Sequence, residues 1–225
     1  MSIKEIVKEL KTKYGSNELI KDELKMLSKG RTNLRFLAET VIEATEDLGL
    51  AKEIYKCALD ESAESISDTL SIIFSIACIL NDKEWTSNLT HKILDDITNT
   101  THFVQLAEII ARLDGLDDKR WALEIYEKAV EMASSTRDYT TIARSVYNDR
   151  YIGDEVFATK MLEKAVTSAE DVWDICSVAD LVASKKEYSG NKKWAKQILE
   201  DSLVKFTLEG NFDSLKSKLA EIDKL

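Results

Sequence analysis

The chain is predicted to be all-α, built from antiparallel pairs of helices that repeat about every 36 residues. Three observations carry that prediction. The 225 residues include no proline and only seven glycines. Those two residues punctuate strands and tight turns, so their scarcity leaves helices joined by short polar links. The signature Asp118-Lys-Arg-Trp121 returns as Asp82-Lys-Glu-Trp85, Asp154-Glu-Val-Phe157 and Asn191-Lys-Lys-Trp194, with a weaker copy at Asp47-Leu-Gly-Leu50. The large apolar residues of these copies stand 35, 36, 36 and 37 apart. Each copy then opens the same run of packing residues at i, i+4 and i+7, which places three side chains on one stripe of a helix.

In chain order, residues 1–31 are expected to form a degenerate helical pair that caps the start. Residues 32–208 hold five pairs, each a helix A followed by a helix B. Helix A is expected over Leu34–Thr45, Ile66–Leu80, His102–Leu113, Asp138–Asn148 and Val172–Ser184. Each carries an aliphatic beside a small residue: Leu37-Ala38, Leu70-Ser71, Leu106-Ala107, Ile142-Ala143 and Val178-Ala179. Helix B shows its stripe as Ala51, Tyr55 and Ala58, then Thr86, Thr90 and Ile93, then Ala122, Tyr126 and Ala129. The last two copies are Ala158, Leu162 and Ala165, and Ala195, Leu199 and Ser202. Residues 209–225 end in a helix over Phe212–Leu225, opened by Asn211, with Lys, Asp and Glu on the face that no further pair covers. The three segments read as one continuous domain.

The acid of the signature has a structural task. Asp or Asn three residues before the aromatic is placed to be the N-cap of helix B, accepting from backbone N–H groups that the helix cannot pair. The aromatic, at Trp85, Trp121, Phe157 and Trp194, falls in the first turn, where it would plug the gap between neighbouring pairs. A catalytic acid is not expected in five copies, whereas a cap is.

A two-helix unit of this length, with Leu-Ala in helix A and Ala-x-x-x-Tyr-x-x-Ala in helix B, resembles the tetratricopeptide-repeat superfamily. Ala122-Leu-Glu-Ile-Tyr-Glu-Lys-Ala-Val130 is particularly similar to its second helix. The interval of about 15 from the small residue of helix A to the first Ala of helix B is closer to the Sel-like branch. The likeness covers some four-fifths of the chain. It departs from the family in having no closing proline, in a first pair shortened between Leu37-Ala38 and Ala51, and in Thr86 and Thr90 where Ala and an aromatic are usual. The resemblance implies a right-handed α-solenoid whose concave face, lined by the A helices, binds other proteins. It implies no reaction.

Composition narrows the function classes further. Apolar residues make up 44% and charged residues 32%, enough to build a core and too apolar for a disordered chain. A net charge of −10 disfavours general nucleic-acid or membrane binding, both of which need a basic surface. RNA reading by repeats of this length is disfavoured for the same reason, although Lys185, Lys186, Lys192 and Lys193 cluster in one link. Cys57, Cys78 and Cys176 are odd in number and widely spaced, which predicts free thiols in a reducing compartment. The N-terminus lacks the apolar core of a signal peptide, and the most apolar run, Leu70–Leu80, is half a membrane span. The expected location is the cytoplasm.

Chemistry is sparse. His91 and His102 would have to share a metal with Asp95 or Asp96, without any helical His-x-x-x-His or cysteine pair in support. No phosphate loop or nucleophile elbow is present, and Asp95-Asp96 and Asp117-Asp118 read as capping or solvated pairs. No catalytic residue, cofactor or metal is expected. What remains is the face that the A helices would present. The family register gives Arg137, Thr140, Arg144, Tyr147 and Asn148 in pair four. It gives Thr101, Val104, Glu108, Ala111 and Arg112 in pair three, and Thr32, Arg35, Glu39, Ile42 and Glu43 in pair one. Ile72 and Ile76 would make an apolar floor in pair two. Arg and Tyr are side chains that often carry binding energy. The sequence therefore predicts a non-catalytic scaffold or adaptor that holds a partner protein or peptide in its groove. The alternative is an immunity or inhibitor protein that neutralises a toxin or enzyme, its negative charge suited to a cationic partner. An enzyme on a helical scaffold is the remote third reading.

Overall fold

A computed structural model describes residues 3–28, 33–184, 188–206 and 212–224. These residues form thirteen α-helices and no strand. Two compact units divide the chain. The first, residues 1–97 with 113–117, contains α1 (Ile3–Lys13), α2 (Asn17–Ser28), α3 (Leu34–Thr45), α4 (Leu48–Glu61), α5 (Ile66–Ser75) and α6 (Lys83–Ile93). The helix α5 runs on as a π-helical segment over Ile76–Leu80. The second unit, residues 98–112 with 118–225, contains α7 (Thr100–Ala111), α8 (Lys119–Met132), α9 (Thr136–Tyr147) and α10 (Glu155–Ser168). It continues with α11 (Val172–Ala183), α12 (Lys192–Phe206) and α13 (Phe212–Lys224). The expected positions Thr32, Lys185, Lys186 and Asn211 lie outside the described residues.

Helix starts are fixed by side-chain caps. Asp47, Asp82, Asp118, Asp154 and Asn191 accept from the N–H groups of Leu50, Trp85, Trp121, Phe157 and Trp194 at 2.9–3.0 Å. The alternate helices are capped too, by Asn33, Ser65, Asn99, Ser135 and Asp171. Ser135 and Asp138 complete a reciprocal capping box. These caps start α7 and α9 at Thr100 and Thr136, two residues earlier than apolar periodicity places them.

Consecutive helices pack as pairs, α3 with α4, α7 with α8, α9 with α10 and α11 with α12. Alternate helices also touch, α1 with α3 and α2 with α4 in the first unit, and α7 with α9, α9 with α11 and α11 with α13 in the second. The stripe at four, eight and eleven residues after each B-helix cap is buried in all five copies, the most exposed member being Ile93 at 7%. Small residues at the first position let the backbones approach, and a large one at the second fills the space between them. Pair two fits less well. Thr90 stands where α4 and α8 have tyrosine, and its hydroxyl is buried with no hydrogen-bond partner among the described residues.

Pair two also corrects the expected register. In α7, α9 and α11 the aliphatic–small pair begins seven residues after the cap, at Leu106, Ile142 and Val178. Seven residues after Ser65 is Ile72, so the equivalent pair in α5 is Ile72-Ile73 and not Leu70-Ser71. That two-residue shift turns Ile72 and Ile76 inward, at 4% and 0% exposure, among the core residues of α3 and α4. The apolar groove floor expected there is packed core.

Candidate functional site

The most elaborate side-chain arrangement lies in the second unit. Ser145 of α9 donates to Glu108 of α7 at 2.6 Å, and its hydroxyl oxygen lies 2.6 Å from the Tyr126 hydroxyl on α8. Serine has one proton and gives it to the carboxylate, so the tyrosine must donate to the serine. The result is a relay from Tyr126 through Ser145 to Glu108 that ties three helices. Arg112 and Tyr151 also face the Glu108 carboxyl. Burial raises the Glu108 pKa, against the opposing pull of Ser145, Tyr151 and Arg112. Burial likewise pushes the Tyr126 hydroxyl far above its ordinary value.

The first unit repeats the arrangement with one exchange. Ser75 of α5 donates to Glu39 of α3 at 2.6 Å. Here the serine oxygen is met by Arg35 at 3.4 Å, and Arg35 also pairs with Glu39 at 3.3 Å. The Tyr55 hydroxyl is close to Ser75 but outside hydrogen-bond geometry, so it is left without a partner among the described residues. A serine held on a carboxylate invites a nucleophilic reading. Ser145 is 5% exposed, and Ser75, Tyr126 and Tyr55 are 0% exposed, so the hydroxyls of both relays are enclosed between helices, while the Arg35 and Glu39 side chains are 23% and 17% exposed. The bonds they make pair polar groups between helices.

Those relays account for much of the expected binding strip. Glu108 and Arg112 are drawn into the network, and Arg112 is only 6% exposed. Val104 and Ala111 are buried, and Glu39 and Arg35 belong to the other relay. Tyr147 is half-buried, its ring 4.3 Å from that of Tyr188, which in turn lies 6.3 Å from the Trp194 ring and bonds Thr159 at 2.7 Å. Asn148 is exposed but spends its side-chain oxygen on the Arg150 N–H. Arg137 and Arg144 are exposed on α9. Of the eight positions singled out for partner binding, those two and Asn148 are the ones that stand at the surface.

The repeat aromatics Trp85, Trp121, Phe157 and Trp194 are half-buried rather than fully enclosed. Trp85 packs on the first unit's core with the Lys52 ammonium 5.0 Å from its ring, and Lys52 also pairs with Asp82 at 2.6 Å. That pairing, with the Trp85 N–H, holds the Asp82 carboxyl below the ordinary range. Nearby, α4, α5 and α6 enclose a cleft of about 330 Å³ lined by Leu59, Ile66, Trp85 and Leu89, with Lys56, Lys92, Asp60 and Asp96 around them. The histidines serve local bonds, His91 to the Ser87 carbonyl and His102 to Asn99. Among the described residues no group of three or more His, Cys, Asp or Glu is placed to hold a metal ion, and no helix is long and apolar enough to cross a membrane.

Sequence reasoning passed over Trp173, which is 76% exposed in the first turn of α11. The signal was available: it stands two residues after the Asp171 cap, the position that Arg137 occupies after Ser135. No protein-family model, no curated protein and no solved structure matches the chain.

Proposed function

We propose that the chain is a non-catalytic binding scaffold, a tetratricopeptide-like α-solenoid that holds a partner protein or peptide on the face of its A helices. The observation that carries this reading is the separation of roles along each helix pair. The B-helix stripe is buried in all five copies, and the Glu108 and Glu39 carboxylates accept from Ser145 and Ser75 within the fold. Exposed cationic and aromatic side chains remain on alternate helices, among them Phe36 in the first unit and Arg137, Arg144 and Trp173 in the second. Rigid repeats that consume their inner polar groups and vary the outer ones are suited to recognition.

The net charge of −10 favours a second reading within the same class, an inhibitor or immunity protein whose charge steers it onto a cationic toxin or enzyme. Affinity capture on the tagged full chain, followed by mass spectrometry at low and high salt, tests both. A stoichiometric partner that persists at high salt supports the scaffold, and a basic enzyme whose activity the chain abolishes supports the inhibitor. Capture of nothing above an untagged control abandons both.

A further inference from the structure

We infer that the cleft between α4, α5 and α6 of the first unit receives one phenylalanine side chain of a partner peptide. The inference rests on the protein-binding reading above and adds a contact made largely by the B helices α4 and α6. What carries it is the second unit, where a ring of the chain's own fills the equivalent place.

Caps and repeat spacing equate the two places. Four residues past the cap stand Phe103 in α7, Tyr139 in α9 and Ile175 in α11, but Thr69 in α5. Tyr139 spans the gap from α8 to α10. Its hydroxyl donates to the carbonyl of Ala133, the C-cap residue of α8, at 3.0 Å, and the Lys164 ammonium of α10 lies 5.6 Å from its ring centre. A threonine is too short to do this. Thr69 donates instead to the carbonyl of Ser62, the C-cap residue of α4, at 3.2 Å, and it lines the cleft of about 330 Å³. The walls are Leu59, Ile66, Trp85 and Leu89. Lys92 also lines it, at the tenth residue past the Asp82 cap, the place that Lys164 holds past Asp154. The cleft therefore keeps the apolar walls and the cation of a ring site, while its own helix supplies no ring.

The same features choose the occupant. A phenyl ring offers its electron-rich face to Lys92 and an apolar body to the walls. Tyrosine fits less well. The Ser62 carbonyl, counterpart of the one that Tyr139 uses, already accepts from the Ser65 N–H at 2.8 Å as well as from Thr69. A free small molecule also fits less well, because such ligands are fixed by polar groups set inside a pocket. Here the Thr69 hydroxyl is bonded to Ser62, and Lys56, Asp60, Lys92 and Asp96 are all exposed. An exposed polar rim over an apolar interior suits a side chain whose flanking backbone stays in water.

Titration of the isotope-labelled full chain with N-acetylphenylalaninamide, followed by amide chemical shifts, tests the site. The expected result is saturable binding that shifts amides of α4, α5 and α6, with N-acetylleucinamide and N-acetyltyrosinamide both weaker. Thr69→Tyr builds into the cleft the ring that α9 already carries, and it should weaken binding by at least about tenfold. Lys92→Ala should weaken it about two- to fivefold, as expected of a cation–π contact at an exposed site, and Lys164→Ala should leave it unchanged. Thermal melting verifies that Thr69→Tyr folds. Ala63→Trp, at an exposed position that also lines the cleft, blocks the same space with the same expected loss should Thr69→Tyr not fold. The inference is overturned if the shifts fall elsewhere or do not occur, or if the blocking variants keep wild-type affinity. It is overturned equally if the leucine or tyrosine amide binds as well as the phenylalanine one. Free phenylalanine binding at least about tenfold more tightly than its capped amide would also overturn it, since the occupant would then be an amino acid and not a peptide. A captured cellular partner that Thr69→Tyr still binds at full affinity would sink the cleft while leaving the scaffold reading standing.

Discussion

Ser145 gives its hydroxyl proton to Glu108 at 2.6 Å across two helices, and Ser75 does the same to Glu39 at the same distance. The two bonds fix equivalent registers in the two units. The donors around them differ, and that difference predicts opposite outcomes for one conservative substitution.

Tyr126→Phe removes a hydroxyl that bonds Ser145, and it should cost about 1 kcal/mol. Tyr55→Phe removes a buried hydroxyl that has no partner among the described residues, and it should be neutral or stabilising. Urea unfolding of the two variants checks the contrast. Equal losses would mean that Tyr55 is bonded as Tyr126 is.

Glu108 is held with a raised pKa, chiefly by burial. A raised folded value means that the folded state binds the proton more tightly than the unfolded one. The site's contribution is therefore greatest below the unfolded glutamate pKa of about 4.3, and it is lost as pH rises through the folded value. Glu108→Gln keeps an acceptor for Ser145 and cannot ionise. Its stability relative to wild type should rise between about pH 4 and pH 7, measured by urea midpoints across that range. A flat difference would show that the carboxyl is not destabilised by its surroundings.

Asp82 has the opposite sign. Its pKa is lowered by Lys52 and the Trp85 N–H, so its stabilisation is complete above the unfolded aspartate pKa of about 3.9 and fades as pH falls through the depressed folded value. Asp82→Ala should cost about 1–2 kcal/mol at neutral pH, and Asp118→Ala about 1 kcal/mol for its cap. The Asp82→Ala deficit should shrink as the pH is lowered towards 3, about a unit below the ordinary value. A deficit independent of pH would rule out a role for the carboxylate charge.

Ile76 is fully enclosed in the first unit's core. Ile76→Asp should abolish that unit's cooperative unfolding, because placing a carboxylate in an apolar core carries a large desolvation cost. Ile76→Val should cost about 0.5–1.5 kcal/mol. Circular dichroism melts distinguish core from groove: a folded, stable Ile76→Asp would return the residue to the surface.

Thr90 is the other buried hydroxyl without a partner among the described residues. Thr90→Val keeps the shape and drops the unmet group, so it should be neutral or stabilise by up to about 1 kcal/mol in the same unfolding assay. Destabilisation would reveal a bonded partner.

Helix positions, the five B-helix caps and the buried stripe were legible in the sequence, because each depends on residues no more than one or a few turns apart. Asp118 and Trp121 lie three residues apart, and Ala122, Tyr126 and Ala129 lie on one stripe, whatever surrounds them. The register of α5 was misread because Leu70-Ser71 resembles the expected pair, whereas Ile72-Ile73 is the pair that its cap spacing and the Ser75–Glu39 bond select. The fate of the polar side chains was not legible at all. Glu108 and Arg144 stand nine residues after their caps on neighbouring helices, yet one is drawn into a buried relay and the other is exposed. Arg112 looked like a surface cation and is buried beside that carboxyl.

The sequence by itself determined that this chain folds as capped helix pairs at a period near 36, since hydrogen bonds within a helix and its caps are local. Only the tertiary structure decided which charged groups turn inward and which face water. That choice depends on partners 36 and 37 residues away, as with Ser75 for Glu39 and Ser145 for Glu108, where desolvation and a shared proton outweigh any preference written along the helix.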